Sequence, residues 1–262
     1  MSIVFDRAIE YYDRTRALPP EVADRPLDAL IQETHLQPGA RVLELGIGTG
    51  RIALPLAAKI GRISGVDLSF AMMQVLQSKL AANPAPVDVA QADVLQLPFP
   101  ENTFDVIYAV HVLHLVNGWE NAIGEAQRVI KPGGYLLISW HRRTSDSPNW
   151  LVRQELHRLV EPFGVSTKRP GAQSEEEIIR ELAKWGNAPR LVDVMDWTEP
   201  ATLAETLREI DQQIASETWA IPRHVMDAVM PELRQWTENH LGSLDRTIHS
   251  PYNFRWLIVQ KR

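Results

Sequence analysis

A glycine-rich loop with the sequence Glu44-Leu45-Gly46-Ile47-Gly48-Thr49-Gly50 directly follows a predicted strand and directly precedes a predicted helix. Glycines at such a turn let the backbone bend sharply and approach a ligand closely, while the helix presents unpaired N–H groups to it. The spacing is G-x-G-x-G, and Arg51 stands where the third glycine of the dinucleotide fingerprint would fall. This substitution weighs against a nicotinamide dinucleotide.

Two carboxylates follow at the ends of the next two predicted strands. Asp67 ends the strand after the loop, about 20 residues beyond the first glycine, where a carboxylate can accept both hydroxyls of a ribose. Asp93 follows the third strand. Each acid alone is ordinary turn chemistry. Together with the glycine loop they line one crevice of an open α/β sheet and predict a ligand that contains a nucleoside.

Histidines lie beyond the fourth and fifth predicted strands. His111 and His114 occur in HVLHLV, and His141 begins the short basic run His141-Arg142-Arg143. Histidine can act as a general base near neutral pH. His111 ranks first because it stands at the carboxyl end of a strand, whereas a hydrogen-bonded packing role is an open alternative for each histidine.

The elements that must position these residues follow from the hydrophobic pattern. Short apolar runs alternate with longer amphipathic ones from about residue 40, which is typical of a parallel sheet covered by helices. Strands are predicted at 41–45, 62–67, 87–91, 104–110, 135–140, 191–197 and 254–260. Helices are predicted at 51–60, 70–82, 119–130, 149–161 and 174–186, with Ser69 as the N-cap of the second.

Composition narrows the class of protein. The chain has 262 residues, a formal net charge of −6 and no cysteine. The absence of cysteine excludes iron–sulfur clusters, Cys-ligated zinc and thiolate nucleophiles. Mild acidity weighs against a general polyanion binder, and no apolar run is long enough for a membrane span. We therefore expect a cytoplasmic protein with no metal site and neither nucleic acid nor a membrane as partner.

Four blocks together resemble the class I S-adenosylmethionine-dependent methyltransferases, within them the ubiquinone/menaquinone C-methyltransferase-like group (methyltransferase type 11). They are VLELGIGTGRIALPLA (42–57), GVDLS (65–69), QADVLQLPFPENTFDVIYAVHVLHLV (91–116) and RVIKPGGYLLIS (128–139). The resemblance implies a Rossmann-like α/β fold with helices on both faces of a seven-stranded sheet. The last strand would run antiparallel.

The resemblance also implies S-adenosyl-L-methionine as cofactor and a role for particular residues. The methionine part of the cofactor would be surrounded by Glu44, Gly46, Gly48 and Gly50. The ammonium group of that methionine part would meet the carbonyls near Val110 and His111. Asp67 would hold the ribose, Leu68 would pack on the adenine, and Asp93 and Val94 would contact the adenine edge. Tyr12 and Arg16, in the N-terminal YYDRTR, are candidates for a segment that folds over the cofactor, with an amphipathic surface helix as the alternative.

The region after residue 140 is expected to bind the methyl acceptor. Residues 198–250 carry nine acidic and four basic residues and predict two helices, roughly 200–218 and 222–241. We interpret 1–197 plus 251–262 as the methyltransferase core and 198–250 as a helical insertion, or lid, that forms part of the acceptor pocket. Five tryptophans are candidates to line that pocket, with a packing role as the alternative: Trp140, Trp150, Trp197, Trp219 and Trp236.

The predicted function is methyl transfer by in-line displacement to a small, partly apolar or aromatic molecule, with His111 and His114 as candidate catalytic residues. Cytosine C5 chemistry needs a cysteine, and the Asn/Asp-Pro-Pro-aromatic block of amino methylation is replaced here by VHVLHLV. Three alternatives remain open at this point. They are an NAD(P)-dependent oxidoreductase, a non-catalytic module that binds S-adenosylmethionine, and an RNA or protein methyltransferase.

Overall fold

The computed structural model describes residues 2–139, the backbone of 142–143, and residues 147–262. Trp140 and His141, which the sequence interpretation named as candidates, lie outside the described residues. The chain divides into two compact units. The first comprises residues 1–140, 170–195 and 254–262, and the second comprises residues 141–169 and 196–253. The second unit thus includes residues 141–169 in addition to the whole of the predicted insertion, 198–250.

The first half of the chain alternates strands and helices as the hydrophobic pattern predicts. In chain order the elements are α1 (Tyr12–Arg16), α2 (Arg25–Thr34), β1 (Val42–Leu45), α3 (Ala53–Ile60), β2 (Ile63–Asp67), α4 (Phe70–Ala82), β3 (Val87–Gln91), β4 (Phe104–Val110), α5 (Trp119–Val129) and β5 (Ile130–Ser139). The predicted N-cap of α4 is confirmed, because the Ser69 hydroxyl accepts a hydrogen bond from the Met72 amide.

The second half continues with β6 (Arg142–Arg143), α6 (Pro148–Val160), α7 (Glu175–Leu182), β7 (Arg190–Thr202), α8 (Leu203–Asp211), α9 (Arg223–Leu241) and β8 (Thr247–Gln260). The helix predicted at 200–218 is shorter than expected. A capping box between Thr202 and Glu205 starts α8 at Leu203, and the left-handed backbone of Gln213 follows its end. Residues Ser216–Thr218 form a separate turn of 3₁₀ helix.

The strands form one mixed sheet in the order β3-β2-β1-β4-β5-β8-β6, with β7 also paired to β8. Strands β1 to β5 are parallel to their neighbours, whereas β8 runs antiparallel to β5. Leaving aside the two-residue β6, this is the predicted seven-stranded sheet with an antiparallel last strand. The order reverses between β1 and β4, and crevices at such a reversal are where open α/β sheets bind ligands.

The core of the first unit lies between the sheet and its helices. Trp256 on β8 is fully buried, packs edge-on against Tyr108 and Phe254, and donates its indole N–H to the Pro26 carbonyl at 2.9 Å. This one side chain therefore connects β8 to β4 and to the start of α2. Burial of a large aromatic side chain with its polar atom satisfied stabilises the unit substantially.

The second unit has its own apolar core, formed by α6, α8, α9 and the segment after α9. A buried ionic cluster accompanies it. The Arg153 guanidinium is 3% exposed, donates to Asn149 at 2.8 Å and pairs with Glu217, whose other oxygen accepts from Arg169 at 2.8 Å. Removing Glu217 would take away the nearest carboxylate partner of the buried Arg153 charge, which is costly because a buried charge needs a close partner.

We expect Trp256→Phe to lower the free energy of unfolding by about 2 to 4 kcal/mol, because it removes buried volume and leaves the Pro26 carbonyl without its donor. Urea denaturation checks this, with Phe163→Leu as control, since Phe163 is 52% exposed. Equal losses in the two variants would contradict the assigned role of Trp256.

Candidate functional site

The glycine loop lies at the carboxyl end of β1, and its three glycines all have positive φ angles: Gly46 at 69°, Gly48 at 53° and Gly50 at 77°. Two of them are also required by packing. A Cβ atom on Gly46 would lie 2.5 Å from Val112 Cγ2, and one on Gly50 would lie 2.5 Å from Leu76 Cδ1. Gly48 differs, since its nearest neighbours would be at 3.7 Å or beyond. A Cβ atom there would make only ordinary van der Waals contacts, so it is the positive φ angle of Gly48 that favours glycine.

Asp67 holds the loop and the next helix together. Its Oδ2 accepts a hydrogen bond from the Gly48 amide and its Oδ1 accepts one from the Ser69 amide, both at 2.8 Å. Burial raises the pKa of Asp67 although these amides oppose the rise, and the nearby Asp6 carboxylate adds to it. Each carboxylate oxygen keeps a further lone pair, so the group can still accept hydroxyl donors.

Glu44 is buried at the end of β1 beside Tyr108 of β4, its partner in the strand register. The Tyr108 hydroxyl donates to Glu44 Oε2 at 2.9 Å. Burial raises the pKa of Glu44 to about 8, against the lowering effects of the Tyr108 hydrogen bond and the nearby Arg51 charge. Without a cationic ligand, this carboxyl is therefore largely protonated at pH 7.

The N-terminal segment brings Tyr12 to the same place. Burial raises the pKa of Tyr12, and the charges acting on it include Arg51, Arg16, Asp67 and Glu44. The Nη1 atom of Arg51 is buried and has no hydrogen-bond partner among the described residues. The sequence interpretation did not name Arg51 as a ligand contact, although it directly follows the glycine loop.

The segment after β4 carries the two candidate histidines. His111 has a φ angle of 59°, which is uncommon for a residue other than glycine, and its amide donates to the Ser139 carbonyl at 2.9 Å. His114 lies in a 3₁₀ turn, Leu113–Leu115, with its ring centre 6.1 Å from that of His111. Val110 is buried at the end of β4. The structure therefore brings both histidines together near the end of β4.

The remaining residues that the sequence predicts to contact the cofactor are Leu68, Asp93, Val94 and Arg16. Leu68 follows Asp67 and is 40% exposed, so a flat apolar group could cover it. Asp93 Oδ1 accepts from the Leu95 amide at 3.0 Å, which is turn chemistry, and Val94 is buried in the core. Arg16 donates to the Thr15 carbonyl at 3.2 Å. Within the part of the chain that the structure describes, no hydrogen bond joins the Asp93 and Asp67 side chains.

Comparison with known proteins agrees with the fold. Residues 43–138 match the model of a family described as "Methyltransferase domain". Over 140 residues the chain is 31% identical to a demethylmenaquinone methyltransferase of Symbiobacterium thermophilum, covering 51% of this chain and 56% of that protein. A phosphatidylethanolamine N-methyltransferase of Cereibacter sphaeroides is 33% identical over 48% of this chain and 63% of its own length. The matched parts thus span less than two thirds of these relatives.

Among solved structures, the YcgJ protein of Bacillus subtilis superposes with a TM-score of 0.61 at 20% identity, over 90% of this chain and 97% of that chain. The family match places a methyltransferase domain at residues 43–138, and the superposition shows a fold shared with this solved structure. The family model and both relatives carry the name methyltransferase, which agrees with the resemblance stated from the sequence.

The buried Glu44 predicts a pH-dependent stability in the absence of cofactor. Its folded pKa of about 8 lies above the unfolded value near 4.5, so the folded state holds the extra proton between these limits. The contribution of Glu44 to the free energy of unfolding is therefore largest below about pH 4.5, and it is lost as the pH rises through 8. The loss amounts to a few kcal/mol at most.

Urea denaturation from pH 5 to 9 checks this. We expect Glu44→Gln to flatten the decline, and Glu21→Gln, which changes an exposed carboxylate, to keep it. A decline of the same slope in Glu44→Gln would show that another group causes it.

Proposed function

We propose that this chain is a methyltransferase that uses S-adenosyl-L-methionine to methylate a small, partly apolar or aromatic molecule by in-line displacement. The observation that carries the proposal is the Asp67 carboxylate, which is fixed by the backbone amides of Gly48 and Ser69 at the carboxyl end of β2. A carboxylate held in this way is suited to accept the two hydroxyls of a ribose.

The other side chains of the site suit the carboxylate, ammonium and adenine groups of the cofactor. The unpartnered Nη1 of Arg51 suits a carboxylate, and the buried carboxyl of Glu44 suits an ammonium group, which would favour its ionised form. Tyr12 and Arg16 would cover the methionine end of the cofactor. The exposed face of Leu68 would pack on the adenine, with Asp93 and Val94 at the adenine edge.

When bound, the cofactor supplies an activated methyl group, so the protein needs mainly to align the acceptor and exclude water. His111 is the proposed general base for an acceptor that must lose a proton, and His114 is the second candidate. The left-handed conformation of His111 supports this assignment, because strained backbone of this kind often occurs at functional sites.

Two observations support a partly apolar acceptor. The relatives named above act, by their names, on a quinone and on a phospholipid, both with large apolar parts. Four tryptophans of the second unit, Trp150, Trp197, Trp219 and Trp236, are only half-buried. We propose that this unit contributes to acceptor binding. No described helix is both long and apolar enough for a membrane span, and a cytoplasmic location is part of the proposal.

Asp67→Ala tests the cofactor site directly. We expect its affinity for S-adenosylhomocysteine to fall by about 30- to 1000-fold, because the ribose hydroxyls lose their acceptor and the loop loses its tie to Ser69. Isothermal titration measures this. Asp88→Ala is the control, since Asp88 lies on the neighbouring β3 with an exposed pair to Arg62. Unchanged affinity in folded Asp67→Ala would refute the ribose assignment.

A second experiment tests the reaction and its base. The protein is incubated with methyl-labelled cofactor and a cell extract separated into metabolites, RNA and protein, and we expect label in a metabolite. His111→Asn, which tolerates a positive φ angle, should slow the transfer by about 10²- to 10⁴-fold and leave cofactor affinity nearly unchanged.

His35→Asn is the matched control, because His35 also has a positive φ angle, 49°, but is exposed at the end of α2. Label in RNA or protein would contradict the small-molecule proposal. Full transfer by His111→Asn would refute its role as base, and tight cofactor binding with no transfer to any fraction would favour a non-catalytic module.

A further inference from the structure

Asp13 on α1 contacts both the glycine loop and α4. Its Oδ1 accepts a hydrogen bond from the Thr49 hydroxyl at 2.5 Å, and its Oδ2 lies 2.6 Å from the Lys79 ammonium. Lys79 also donates to the Thr49 carbonyl at 2.9 Å. The three residues therefore form a closed ring of contacts between α1, the loop and α4.

The position of Thr49 makes this ring important for the loop. Thr49 stands between Gly48 and Gly50, both with positive φ angles, and is 1% exposed. Glycines on both sides would leave this backbone free to change conformation. Because Asp13 holds the Thr49 side chain and Lys79 holds its carbonyl, the loop is fixed from two directions.

The N-terminal segment, residues 5–16, has a second attachment on the other side of Asp67. Asp6 accepts a hydrogen bond from the Ser69 hydroxyl at 2.5 Å, and the Ser69 amide in turn donates to Asp67. Tyr12, adjacent to Asp13, is half-buried and lies within electrostatic range of Glu44 and Asp67. The N-terminal segment is thus attached both to the glycine loop and to the start of α4, which are the two structures that Asp67 joins.

We infer that Asp13 is a positioning residue that holds the N-terminal segment against the glycine loop and thereby slows release of the bound cofactor. This inference rests on the proposed function. Asp13 itself does not touch the reacting atoms, and it acts through Thr49, Lys79 and the neighbouring Tyr12. Its side chain is 46% exposed and that of Lys79 is 34% exposed, so the ion pair is partly screened by solvent.

The test measures the dissociation rate of S-adenosylhomocysteine by stopped-flow fluorescence in the full-length protein. Asp13→Asn should release the ligand about 3- to 30-fold faster than the wild type, and the difference should shrink in 1 M salt. Lys79→Met should act in the same direction, and the double variant should be no faster than the larger single effect. Asp28→Asn is the matched control, because Asp28 forms a similarly exposed pair with Lys59.

Limited proteolysis supplies a second readout. Arg14 and Arg16 lie directly after Asp13, so trypsin cleavage there reports release of the segment. Bound S-adenosylhomocysteine should protect these sites in the wild type and protect them less in Asp13→Asn.

Two results would overturn the inference. If the wild type binds S-adenosylhomocysteine but Asp13→Asn shows the same release rate and the same protection, Asp13 has no positioning role and the proposed function is unaffected. If neither the wild type nor Asp28→Asn binds S-adenosylhomocysteine, the proposed function fails and the inference fails with it.

Discussion

The two hydrogen bonds that Asp67 accepts are the constraint on which the site depends. One fixes the amide of Gly48 in the glycine loop, and the other fixes the amide of Ser69, which caps α4. A carboxylate at the end of β2 therefore sets the distance between the end of β1 and the start of α4. The N-terminal segment attaches to this arrangement on both sides, at Thr49 and at Ser69. A carboxylate that backbone donors hold in this way needs no rearrangement when a ligand arrives.

Glu44 is a carboxyl group whose environment disfavours its charge. It is buried where the strand order reverses, it accepts a hydrogen bond from the Tyr108 hydroxyl, and its pKa rises to about 8. Burying an ionised carboxylate without a cationic partner is costly, so the group holds a proton instead. Such a residue adds little to stability at neutral pH, and its position is better explained by the proposed ammonium partner.

The sequence predicts the parts of the fold that depend on local pattern. Strands β3 and β4, the N-cap Ser69 and the antiparallel last strand follow from periodicity, capping chemistry and the resemblance. The contacts between distant segments could not be predicted, because parallel strand register and the path of the N-terminal segment are not encoded in local spacing. The Glu44–Tyr108 pair depends on that register, and Asp13 meets Thr49 only in the folded chain. Arg51 could have been noticed in the sequence, since it directly follows the loop, but its unpartnered Nη1 is visible only in three dimensions.

The end of β4 illustrates how packing positions a strained residue. His111 adopts φ = 59°, which costs of order 1 kcal/mol or more for a non-glycine residue. Its amide is held by the Ser139 carbonyl at the end of β5, and the Gly171 and Ala172 amides donate to the carbonyls of His114 and Leu113. Gly171 approaches so closely that an added Cβ would lie 1.9 Å from the Leu113 carbonyl oxygen. The backbone after β4 is therefore fixed on both sides of Val112, which itself fills the space beside Gly46. Because the same segment contacts the glycine loop and carries both histidines, a displacement of the loop would also move the proposed base.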